Sequence, residues 1–210
     1  DENYPKEIIN NLINDFDFSS HQQLKIRDSN DLKDHLSFNL YDIIFVKLGF
    51  YFDEKMLGNQ SNLKFIITPT TGLNHLDLDY LDNKNVQILS LKGEYLFLNN
   101  IQSTSEHVWS LILALSKKLL KENNKTRVFY WKREEKSIEL NQKTIGIIGY
   151  GRLGKIIHRY AKAFNMKVLI NDIDAIEQTN TPLNELLPES DIVVLLIDYR
   201  KENENFMNLA

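Results

Sequence analysis

The run Gly149-Tyr150-Gly151-Arg152-Leu153-Gly154 carries glycines at the spacing that lets a chain hold a diphosphate with its own backbone. Gly149 permits a tight strand-to-helix turn, and Gly151 removes a Cβ where a phosphate would approach. Gly154 lets the following helix press close to a sheet. The amides of Arg152 and Leu153 would open that helix, offering unpaired N–H donors and a positive dipole end to an anion. Such glycines also arise by chance or for packing alone, so the flanking residues decide. Residues 144–148, Thr-Ile-Gly-Ile-Ile, read as a buried strand. Leu153, Ile156, Ile157, Tyr160, Ala161 and Phe164 then fall at helical spacing, and residues 166–171 read as a second strand. Asp172 ends that strand, where a carboxylate can accept from the hydroxyls of an adenosine ribose. A carboxylate there repels a 2′-phosphate, and residues 173–178 bring no Arg or Lys to receive one. The βαβ unit is therefore expected to take NAD rather than NADP.

The elements that must position this turn follow from apolar patterning. Residues 42–46, 63–68 and 86–90 are short, continuous apolar runs rich in β-branched and aromatic side chains, as in strands of a parallel sheet covered on both faces. Helix-length polar segments separate them, such as 75–85 after Thr71-Gly72. Ser103-Thr104-Ser105-Glu106 has the form of a capping box, with Ser103 as N-cap. Behind it Val108, Leu111, Ile112, Leu115 and Leu119 share one helical face, while Lys117, Lys118 and Lys121 complement the dipole at the far end. A helix over 104–121 is expected, with a domain boundary near 99–103. A polar stretch containing Trp131-Lys132-Arg133 leads into the second α/β unit. The expected architecture is α/β throughout, with two parallel-sheet domains at 1–99 and 100–210.

Bulk properties exclude several classes. The 210 residues are 42% hydrophobic and 26% charged, too apolar for a disordered chain. A net charge of −4 supplies no long-range attraction to nucleic acid or anionic lipid. With no cysteine, disulfides, thiolate metal sites and a cysteine nucleophile are excluded, and a reducing cytoplasm fits. No apolar run approaches the ~20 residues that span a bilayer. No metal site is expected, and no partner of nucleic acid or membrane. The start at Asp1 rather than Met suggests a clipped chain.

Four stretches in order resemble the D-isomer-specific 2-hydroxyacid dehydrogenases, the phosphoglycerate dehydrogenase-like group. They are Thr70-Thr71-Gly72-Leu73-Asn74-His75-Leu76-Asp77, Ser103-Thr104-Ser105-Glu106-His107-Val108-Trp109, residues 143–155 around the glycine turn, and residues 183–196. The resemblance implies a flavodoxin-like substrate domain and a Rossmann NAD-binding domain, each partial here. It implies hydride transfer between NAD and the CH–OH carbon of a D-2-hydroxy acid, with a 2-hydroxy or 2-keto acid as substrate. It further implies a homodimer in the full-length protein, with helix 104–121 between the domains and at the dimer contact. Thr71 and Gly72 would offer backbone amides to the substrate carboxylate, the alternative being an ordinary strand-to-helix turn. Thr104 has two readings, near the cofactor or simply at a helix start.

The family's Arg, Glu and His lie beyond the stretch matching 191–197, so the chain is expected to be C-terminally truncated and inactive alone. Family members often carry His, an apolar residue and Pro where this chain has Leu196-Ile197-Asp198. Of the five histidines, His21, His35, His107 and His158 are poorly placed for acid/base work. His75 follows the carboxylate turn, its alternative being a surface or helix-start residue. No catalytic residue is assigned. Other readings are a catalytically silent NAD-binding or interaction protein of the same fold, and an inactive gene fragment with an exposed sheet edge.

Overall fold

The computed structural model describes residues 6–16, 40–58, 62–132, 136–174, 180–198 and 203–208. Contacts divide the chain into two compact units, Asp1–Lys92 and Gly93–Ala210. Each is built on its own three-stranded parallel sheet. Arg133 and residues 175–178 lie outside the described residues.

In the first unit the order is α1 (Lys6–Asp15), β1 (Ile43–Phe45), α2 (Glu54–Leu57), β2 (Phe65–Thr68), α3 (Leu78–Asn83) and β3 (Gln87–Ser90). The strands lie side by side as β1-β2-β3, with Ile44 opposite Ile66 and Ile66 opposite Ile88. Ile66, Leu57 and Leu81 are fully buried, each such side chain contributing about 1.5–3 kcal/mol by leaving water. Two aspartates start the short helices. The Asp53 carboxylate accepts from the Met56 amide at 2.8 Å, and that of Asp77 from the Tyr80 amide at 3.1 Å. The segment expected to be helical over 75–85 is helix only from Leu78, because Asp77 is the cap and Leu76 bridges to Phe52.

The second unit runs α4 (Tyr95–Leu98), α5 (Ser103–Ser116), α6 (Leu119–Arg127), β4 (Thr144–Ile148), α7 (Arg152–Ala163), β5 (Lys167–Asn171), α8 (Leu183–Glu189) and β6 (Ile192–Leu195). Here β4 is central, in the order β5-β4-β6. Its Ile145, Ile147 and Ile148 are buried, as a strand covered on both faces requires. Asp191 fixes the start of β4, accepting from the Thr144 amide at 2.9 Å and from Lys143 Nζ at 3.1 Å. Those two bonds, the backbone one first, hold its carboxyl below the usual carboxylate range.

The helix expected at 104–121 differs in three ways. Ser103 is already helical and Gln102 is the N-cap, with no side-chain capping bond, so the capping box does not form. The helix stops at Ser116, Lys118 turns left-handed at φ 52°, and α6 begins at Leu119. The buried face is Ser105, Trp109, Ile112 and Ser116, leaving Leu111, Leu115 and Leu119 exposed. Trp109 decides this rotation. Its ring packs on Tyr160 and Phe164 of α7 at centroid distances of 5.8 and 5.0 Å. An indole buries more apolar area than any one leucine of the opposite face. No helix among the described residues is long and apolar enough to cross a membrane.

Gly146, in the middle of β4, marks where α8 crosses the sheet. A Cβ there would lie 2.5 Å from both Leu186 Cδ2 and Ser190 Oγ. Gly146→Ala is expected to destabilise the second unit by about 1–3 kcal/mol, the usual penalty of overpacking. Urea denaturation followed by Trp109 fluorescence checks it, and an unchanged midpoint would mean that α8 yields freely.

Candidate functional site

The glycine turn leaves the carboxyl end of β4. Gly149 takes φ 94° and donates its N–H to the Asn171 carbonyl at 2.8 Å. A Cβ on it would lie 2.7 Å from the Leu196 carbonyl carbon and oxygen. One on Gly154 would fall on the Gly149 carbonyl oxygen. These two positions force glycine for conformation and for close approach respectively. At Gly151, the residue before α7, a Cβ would meet nothing within 4 Å. The amides of Arg152 and Leu153, in the first turn of α7, have no intrahelical acceptor, and no side chain caps the helix. The Arg152 guanidinium turns the other way, donating to the carbonyls of Leu98 at 3.0 Å and Ile101 at 2.8 Å.

Asp172 stands beside that turn. Its Oδ2 accepts from the Tyr150 amide and its Oδ1 from the Asp174 amide at 2.9 Å. Asn180 holds the Asp172 backbone at two points, its Oδ1 accepting from the Asp172 N–H at 3.0 Å and its Nδ2 donating to the Asp172 carbonyl at 3.2 Å. Tyr150, Ile170, Asp172, Asp174 and Asn180 line a shallow cleft. Tyr150 is anchored in turn, its hydroxyl 2.6 Å from His158 Nδ1 on α7. The site thus gathers a positive helix end, a backbone free of Cβ and a carboxylate, the donor and acceptor set that a nucleoside diphosphate can satisfy.

Sequence reasoning missed Asn180 and Asp174, which lie on either side of a segment with no periodicity. Tyr150 was legible, being on the turn, but its pairing with His158 on the helix that follows was not. In the first unit, Thr71 and Gly72 are exposed in the loop between β2 and α3. Among the described residues neither of their amides donates to a backbone carbonyl. His75, whose alternative reading was a surface or helix-start residue, is buried with 6% exposure. Its Nε2 lies 3.2 Å from Thr68 Oγ1. His107 is exposed on α5, and His21 and His35 lie outside the described residues. Among the described residues no group of three His, Asp or Glu side chains could hold a metal.

Comparison with known proteins adds to this geometry. The model of the D-isomer specific 2-hydroxyacid dehydrogenase catalytic domain matches residues 3–145, and that of the NAD binding domain of the same family matches residues 109–210. Glyoxylate reductase of Pyrococcus furiosus is 28% identical over 182 residues, 80% of this chain and 53% of that protein. D-3-phosphoglycerate dehydrogenase of Archaeoglobus fulgidus is 28% identical over 170 residues, 77% of this chain and 31% of that protein. A solved structure of D-lactate dehydrogenase from Aquifex aeolicus, complexed with NAD and lactic acid, superposes with a TM-score of 0.72 at 28% identity. That match covers 95% of this chain and 60% of the other. The chain spans about half the length of the glyoxylate reductases it matches.

Two histidines are expected to make the fold sensitive to acid. Burial lowers the pKa of His75, and burial followed by the charge of Lys162 lowers that of His158. An unfolded histidine titrates near pH ~6.5, so below that value the unfolded chain binds more protons than the folded one. Stability is therefore expected to be full above that value and to fall as the pH drops through it. Urea midpoints compared at about pH 7.5 and about pH 5.5 should show the loss, and His75→Gln or His158→Gln should flatten it.

Proposed function

The chain belongs to the D-isomer-specific 2-hydroxyacid dehydrogenase family, and on that premise we propose that it holds NAD on the glycine turn and a 2-hydroxy or 2-keto acid on the Thr71–Gly72 turn. The whole protein would then move a hydride between NAD and the CH–OH carbon of a D-2-hydroxy acid. NAD, when bound, supplies the hydride acceptor.

The observation that carries it is the Asp172 carboxylate fixed beside an uncapped helix N-terminus. The Arg152 and Leu153 amides would hold the diphosphate, with Gly151 letting it approach and with Gly149 and Gly154 setting the turn. Tyr150 keeps the turn against α7 through His158. Asp172 would accept from the ribose hydroxyls, and its charge, with Asp174 beside it, disfavours a 2′-phosphate. Thr71 and Gly72 would donate their amides to the substrate carboxylate, a role for unpaired N–H groups on a tight turn.

A homodimer is part of the same reading. Leu115, Leu120 and Phe129 of the second unit are 78%, 77% and 83% exposed, an apolar surface that self-association would cover.

Two outcomes test this reading. Asp172→Ala should erode the preference for NADH over NADPH by about tenfold, or roughly 1.4 kcal/mol, in calorimetric titrations of both. Unchanged discrimination would remove Asp172 from ribose recognition. Leu115→Glu should shift sedimentation toward monomer, and an unaltered distribution would move the contact elsewhere.

A further inference from the structure

Three hydrogen bonds in the first unit form a chain whose direction can be worked out. Thr70 Oγ1 donates to the Gly72 carbonyl at 2.8 Å, since a carbonyl can only accept. Thr68 Oγ1 and Thr70 Oγ1 are 3.0 Å apart. A threonine hydroxyl has one hydrogen, and that of Thr70 is committed to Gly72, so Thr68 is the donor in this pair. The Thr68 hydrogen is thereby used, and its oxygen must accept from His75 Nε2, 3.2 Å away. His75 therefore carries its proton on Nε2. Its Nδ1, buried and without a hydrogen-bond partner among the described residues, is then the unprotonated ring nitrogen. Burial also disfavours the doubly protonated ring.

We propose that His75, Thr68 and Thr70 form a one-way hydrogen-bond relay that fixes the Gly72–Leu73 peptide, which makes His75 a positioning residue of the carboxylate turn. This rests on the reading of Thr71–Gly72 as that turn. A trans peptide points its C=O and N–H in opposite directions, so pinning the Gly72 oxygen toward Thr70 turns the Leu73 N–H away from it. The His75 carbonyl accepts from the Phe52 amide at 2.9 Å, and Asp77 donates to Phe52 at 3.0 Å, so the head of the relay is anchored in the core. Gly72 itself is exposed and has no side chain to hold it. Without the relay its peptide could rotate. In the relay the only proton of His75 is spent inward on Thr68.

Nitrogen-15 NMR on the 210-residue chain tests the relay without cofactor or substrate. His75 should show a protonated Nε2 and a bare Nδ1. His75→Phe keeps a ring but removes the donor, and Thr70→Val breaks the relay in the middle. Each should displace the Leu73 amide resonance in the same direction, and the double variant should displace it no further. His75→Gln places a donor where Nε2 stood and should restore the wild-type position. If His75→Phe does not fold, Thr70→Val and His75→Gln carry the test. A proton on Nδ1, a Leu73 amide indifferent to Thr70→Val, or a His75→Gln chain that behaves like Thr70→Val would each overturn the relay. Titration with sodium glyoxylate, the smallest 2-keto acid, separates the relay from the reading beneath it. Binding should weaken by about tenfold in Thr70→Val and stay near wild type in His75→Gln. If glyoxylate moves no amide of residues 71–73 in the wild-type chain, the carboxylate reading falls, and the histidine spectrum and the Leu73 amide still decide the relay.

Discussion

Helix α7 starts against the end of β4 at a separation that only a hydrogen on the α-carbon of Gly154 allows, since a methyl there would overlap the Gly149 carbonyl oxygen. That contact sets the angle at which the chain reverses from strand to helix. Gly149 must then turn through positive φ beside the backbone of Leu196. Because the turn is closed by backbone packing, no side chain is needed to cap α7, and its first amides are left for another acceptor. The same turn carries Tyr150 to Asp172, joining the ends of β4 and β5 through one amide and one carboxylate. The turn and the open helix end both descend from that approach.

Much of this was legible because it is local. The glycines, the three-isoleucine strand and the apolar face of α7 lie within one stretch of chain, and each states its own requirement. The sheet of the second unit was legible for a similar reason, since β4 is apolar and buried from Ile145 to Ile148, whereas β3 of the first unit leaves Gln87 and Leu89 exposed. Helix α5 was misread because helical periodicity alone does not say which apolar face is covered. Ile112 belongs to the expected face and is buried as expected, but the pattern suits both its neighbours Leu111, Leu115 and Leu119 on one side and Trp109 on the other. The choice between them depends on Tyr160 and Phe164, far along the chain.

The parts that escaped sequence reasoning are polar pairings across loops. Asn180 reaches Asp172 from the far side of a segment with no pattern, and Arg152 spends its guanidinium on the carbonyls of Leu98 and Ile101. Hydrogen bonds of this kind need only one correctly placed donor and acceptor, so they leave no periodic trace. His75 is a sharper case. Its residue type suggests proton transfer, whereas the proposed relay commits its proton to Thr68 through the count of hydroxyl hydrogens around it.

The two strand orders also bear on how each unit is assembled in time. In β1-β2-β3 the spatial order equals the chain order, so each strand can add to the edge left by the one before it. In β5-β4-β6 the third strand returns to the opposite side of the first, across the whole intervening βαβ unit. The entropy of closing a loop grows with its length, so pairing β4 with β6 costs more than pairing β4 with β5 around α7. Until β6 arrives, one edge of β4 is unpaired and Gly149 lacks the Leu196 backbone against which it turns. The glycine turn is thus complete only with β6 in place, so a local motif depends on the last strand of its sheet.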